Sequence, residues 1–118
     1  MSSIPKETRS RCGTRVPCQI PATVTSLDHG QPFSEPCQVV LVNPQGCAAR
    51  VFRSVEIGVA VQLEGLAVKT PVAARVVNCI SLSSFEKLWL LGLVLDRPGN
   101  VWGIVTPPED WARDETEP

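Results

Sequence analysis

Short β-favouring runs recur along this chain between turn signals, and helical periodicity is almost absent. That pattern constrains the fold more than anything else in the sequence. Arg15–Val24, Cys37–Val42, Cys47–Phe52, Val59–Glu64, Val72–Ile80 and Leu88–Leu95 each read as a strand. Asp28-His29-Gly30-Gln31-Pro32 and Asn43-Pro44-Gln45-Gly46 are turn sequences, and Asp96-Arg97-Pro98-Gly99-Asn100 turns the chain after the last run. Strand side chains alternate between faces, so placing Arg50 in solvent sends Cys47, Ala49 and Val51 inward. By the same rule Val59, Val61 and Leu63 face the core while Ala60, Gln62 and Glu64 face out. Leu88–Leu95 is apolar on both faces and is expected to be covered on both. Six strands with mostly hairpin-length links, in 118 residues, predict an all-β fold, a small antiparallel barrel that leaves no free strand edge.

One helix signal is present. Thr106-Pro107-Pro108-Glu109 pairs a Thr cap with Glu three residues on and Pro at the first helical position. It predicts a short C-terminal helix to about Asp114 that lays Trp111 on the body. Residues 1–8 read as a flexible tail, 9–104 as the barrel domain, and 105–118 as the helix with an acidic tail.

Charge is nearly balanced overall, at −1, which argues against a polyanion binder and hence against a nucleic-acid polymer as partner. It is unevenly distributed. Residues 1–15 carry Lys6, Arg9, Arg11 and Arg15 against Glu7, a net of +3. Residues 107–118 carry five carboxylates against Arg113, a net of −4. With three Trp, three Phe and no Tyr, the chain lacks the exposed rings of a base-stacking platform for single strands. No apolar segment follows Met1-Ser2-Ser3-Ile4-Pro5 as in an export signal, and Leu88–Leu95 is too short to cross a bilayer. A cytoplasmic location without membrane insertion is the expectation. The five cysteines, Cys12, Cys18, Cys37, Cys47 and Cys79, have no C-x-x-C spacing. They are expected as reduced, buried or idle thiols, with a zinc site as the sharper alternative and one His to support it. No cofactor is indicated. No nucleophile with a partner base is visible either, so the expectation is a protein that is not an enzyme.

Arg11 and Arg15 stand in R-x-x-x-R spacing at the mouth of the first strand. Guanidinium groups placed so can clamp phosphate oxygens with paired donors and stack on a base. The plain alternative is a pair of solvated basic residues near a chain terminus. His29 reads as an idle surface side chain, Arg50 and Arg75 lie on strand faces and either border the site or face water, and Trp89, Trp102 and Trp111 read as core or lid anchors.

An R-x-x-x-R box before the first strand, followed by a turn ending in Gly46 between the second and third, resembles the PilZ family. These are small bacterial β-barrels that bind the second messenger cyclic di-GMP. The resemblance covers roughly Arg9 to Leu95. Gly92–Ile104 together with Pro107-Pro108-Glu109-Asp110-Trp111 also resembles a set of compact single-domain relatives. It implies that Arg11 and Arg15 grip the phosphates and guanine faces of the ligand. The family's second motif runs Asp or Asn, any, Ser, any, any, Gly. With Gly46 at its end, Leu41 stands where the acid or amide belongs and Asn43 where the Ser belongs. The implied ligand-binding set is therefore Arg11, Arg15, Asn43 and Gly46. Asn43 would offer its amide to phosphate, and Gly46 would supply a positive φ or room for close ligand approach. The implied function is a cyclic di-GMP sensing module that relays the messenger's level to a protein partner not identified by the sequence. The alternative, favoured by Leu41, is a degenerate adaptor that binds a protein and no nucleotide.

Overall fold

The computed structural model describes residues 13–111. Six strands follow in chain order: β1 (Val16–Ser26), β2 (Ser34–Asn43), β3 (Gly46–Val51), β4 (Ala60–Glu64), β5 (Val72–Ser81) and β6 (Trp89–Leu95). They close into an antiparallel barrel in the order β1-β2-β3-β6-β5-β4, as the strand pattern predicts. Four links are hairpins. The exception is 52–59, which crosses an end of the barrel from β3 to β4 and buries Val55 and Val59 on the way.

The alternation that marks the strands in sequence also builds the core. Val24, Val39, Val42, Ala49, Val51, Val61, Leu63, Val76 and Leu91 are buried, and Arg50 is exposed between Ala49 and Val51. No polar or charged residue is buried among the described residues, so the interior is held by apolar burial. Three prolines sit inside strands without disrupting the sheet. β4 meets β1 only from Thr23 onward, and β3 meets β2 only from Gln38 onward. Pro17, Pro21 and Pro36 therefore fall where their strands are paired on one side only, where a missing N–H is tolerated.

Two expectations change. The closing helical turn begins at Glu109 and not at Pro107, and the Trp111 amide donates to the Pro108 carbonyl at 3.1 Å. Pro107 precedes another proline, and a residue before proline is disfavoured in helical geometry. Whether the helix reaches Asp114, and the form of the acidic tail, lie outside the described residues. The outer face of β6 is also not fully covered: Val94 is 44 % exposed, and the wall around it forms a cleft.

Cys18, Cys37 and Cys47 lie on three successive strands and Cys79 on β5, all as free thiols; Cys12 lies outside the described residues. Among the described residues no group of three or more His, Cys, Asp or Glu is placed to hold a metal ion. Burial pushes the Cys37 thiol from its ordinary 9.0 up to about 11. Burial raises Cys47 further, with the charges of Cys37 and Cys18 adding to it. As pH rises past about 9 the unfolded chain loses these protons first, so the folded state holds more protons and loses relative stability. Urea midpoints should therefore stay level up to pH of about 9 and fall between about 9 and 11. Replacing Cys37 by Val or Ala should make that fall shallower, leaving the part that Cys47 contributes.

Candidate functional site

One row of residues runs in register across four strands of the outer wall. Leu41 on β2 pairs with Ala48 on β3, Ala48 with Gly92 on β6, and Gly92 with Asn78 on β5. The two middle positions carry a methyl group and a hydrogen, while the outer two carry full side chains. The wall is therefore hollow at its centre, and a cleft of about 400 Å³ opens there. That lies within the range of about 300–1,000 Å³ common for small-molecule sites.

Both flanking positions follow register shifts, between Val39 and Leu41 on β2 and between Val76 and Asn78 on β5. A bulge adds a residue and re-aims the side chain after it. On β5 this turns both Val77 and Asn78 outward, breaking the alternation that runs from Ala74 through Val76. Gly92 keeps the space that Asn78 needs, since a Cβ built there would lie 3.0 Å from the Asn78 Cβ. Asn78 Oδ1 accepts from the Cys79 amide at 3.1 Å. Its Nδ2 donors have no partner among the described residues.

The adjoining end of the cleft is formed by Arg15, Asn43, Gln45 and Gly46. Arg15 is exposed and has neither ion pair nor hydrogen bond among the described residues. Arg11 lies outside them. Three of the residues singled out in the sequence, Arg15, Asn43 and Gly46, thus line one cleft, together with Leu41. Arg50 is exposed on β3 and does not line it, and Arg75 donates to the Gly58 carbonyl at 2.8 Å. His29 is exposed in the loop between β1 and β2. Asn78 and Gln45 are the polar lining residues that motif spacing leaves out.

The structure revises the local roles of Asn43 and Gly46. Asn43 is occupied by the backbone: Oδ1 accepts from the amides of Gln45 and Gly46, both at 2.9 Å, and Nδ2 donates to the Gly13 carbonyl at 3.0 Å. It is the clasp of the tight turn between β2 and β3, with one amide hydrogen left over. Gly46 has no positive φ. Its requirement is close packing, since a Cβ there would overlap the Leu93 carbonyl oxygen on β6.

Two buried tryptophans hold this end of the barrel. Trp102 Nε1 donates to the Asn43 carbonyl at 2.8 Å. Trp111 Nε1 donates to the Thr14 carbonyl at 2.6 Å, and Asp110 Oδ2 accepts from the Thr14 amide and hydroxyl at 3.0 and 2.7 Å.

Chemically, the cleft offers a fork of positive charge at one end, an amide on the far wall and an apolar bed between them. A ligand complementary to it is flat, partly apolar and anionic at one side. No protein-family model matches the chain, and no curated protein matches it.

Proposed function

We propose that the protein is a PilZ-like module that binds cyclic di-GMP in the cleft on its outer barrel wall and passes the messenger's level to a protein partner. The observation that carries this reading is convergence. Arg15, at the mouth of β1, and Leu41, Asn43 and Gly46, on the β2–β3 hairpin, line a single cleft. The exposed guanidinium of Arg15 would take the phosphates. The shallow bed over Ala48 and Gly92 would take a purine face, with Asn78 facing its edge. Arg11 completes the clamp in the motif that the sequence resembles. The reading is of a binding module and not of an enzyme.

Calorimetric titration with cyclic di-GMP tests it, and no heat at high ligand concentration would end it. Leu41 gives a more graded test. An aliphatic chain cannot hydrogen-bond a base edge, so Leu41→Asn should tighten binding by about tenfold, the worth of one good hydrogen bond of about 1.5 kcal/mol. An unchanged affinity would mean that no base edge comes near Leu41.

The second reading is a protein adaptor with no nucleotide. Leu41 favours it, as do Val77, Ile80 and Val94 around the cleft, each between 44 and 48 % exposed. An apolar rim of this kind suits a protein side chain as well as a base. Recovery of one defined partner by both wild-type and Arg11→Ala, Arg15→Ala protein supports the adaptor, whereas strict dependence on the arginines supports the receptor.

A further inference from the structure

We propose that Asp110 and Trp111 are positioning residues for the cleft, clasping the chain at Thr14 and so fixing where Arg15 stands. This rests on the receptor reading above and adds to it a part of the chain beyond the two motifs.

Thr14 is gripped at every polar group it has. Its amide and hydroxyl both donate to Asp110 Oδ2, and its carbonyl accepts from Trp111 Nε1. The residue before it is held from the other side, where the Gly13 carbonyl accepts from Asn43 Nδ2 at 3.0 Å. Gly13 is buried with φ of 104°, and a Cβ there would come within 2.9 Å of Pro44 Cδ. Two consecutive peptide units are thus fixed between the turn after β2 and the closing helical turn. The indole that holds Thr14 is itself packed within the core, 1 % exposed.

The start of β1 needs such support. It pairs with β2 from Val16, but β4 joins only at Thr23, so the first residues of the strand are held along one edge. Arg15 sits at that weak end, exposed and without a partner among the described residues. Without the clasp its guanidinium would sample positions away from the cleft, and binding would have to order the segment. Ordering a backbone and a long side chain on binding weakens affinity, and pre-organisation removes that cost.

The test measures cyclic di-GMP affinity alongside hydrogen exchange at the Thr14 amide. Asp110→Ala should weaken binding about tenfold and speed Thr14 exchange at least as much. Asp110→Asn keeps an oxygen acceptor and should restore most of both. Thr14→Val should weaken binding less, and Thr14→Val with Asp110→Ala should be no weaker than Asp110→Ala alone, because both act through one junction. Faster Thr14 exchange with wild-type affinity in Asp110→Ala would overturn the proposal. So would equal losses in Asp110→Asn and Asp110→Ala. Should Asp110→Ala fail to fold, Thr14→Val and Asp110→Asn decide the matter by the same two readouts. Wild-type protein that takes up no cyclic di-GMP would bring down the receptor reading and this one with it. Binding that ignores the clasp would bring down only this one.

Discussion

Gly46→Ala is expected to destabilise the fold by about 3 kcal/mol or more, lowering the melting temperature by roughly 15 °C. The added methyl group would meet main chain: the Leu93 carbonyl oxygen, with the Leu93 carbonyl carbon at 3.0 Å and the Val94 Cα at 3.2 Å. No rotamer change relieves a contact between a Cβ and a neighbouring strand's backbone. Relief requires β3 to part from β6 where Gly46 pairs with Val94. The turn is also tied down there from both sides. The Leu95 amide donates to the Gln45 carbonyl and the Gly99 amide to the Pro44 carbonyl, each at 2.8 Å. Moving the turn therefore strains two further hydrogen bonds. Gly30→Ala is the control: its nearest foreign atom is Asp28 Oδ1 at 3.4 Å, so it should be close to neutral. Thermal melts of the two variants separate crowding from any general loss of glycine. A small shift for Gly46→Ala would mean that β3 and β6 can part cheaply. The cleft floor would then be softer than its register implies.

What the sequence makes legible here follows from which interactions are local. Val59–Glu64 alternates cleanly because each side chain answers to one face, and the barrel places Val59, Val61 and Leu63 inside as the pattern predicts. Pro17 and Pro21 fall inside the run that reads as the first strand, but the reason they are tolerated is not local, since one-sided pairing is a property of the assembled sheet. β6 shows the limit of reading an apolar run. Leu90 and Val94 look like core positions, yet they line the cleft that opens over Ala48 and Gly92, and Val94 is 44 % exposed. Asn78 is not legible in the sequence for a related reason: a bulge overrides the two-residue period, and bulges have no dependable residue signature. The tail motif Pro107-Pro108-Glu109-Asp110-Trp111 is visible in the sequence, but its partner Thr14 stands 96 residues from Asp110 in the chain. Nothing local in sequence reports such a contact.

Arg15→Ala should leave the fold intact and weaken cyclic di-GMP binding by about a hundredfold. The side chain is exposed and unpaired among the described residues, so its removal costs the folded state little, within about 0.5 kcal/mol. Binding is another matter, because a guanidinium on a phosphate makes two charge-assisted hydrogen bonds, together worth about 3 kcal/mol or more. That converts to about two decades in affinity. Arg15→Lys separates charge from shape: an ammonium keeps the attraction but loses the planar fork, so an intermediate loss is expected. Adding Arg11→Ala should remove detectable heat altogether. The melting temperature serves as the internal check, since a variant that folds like wild type and has lost its ligand locates the defect at the cleft. Arg15→Ala protein that still binds with wild-type affinity would place the anion elsewhere on the barrel. The open apolar wall around Leu41 would then be better explained by a protein partner than by a nucleotide.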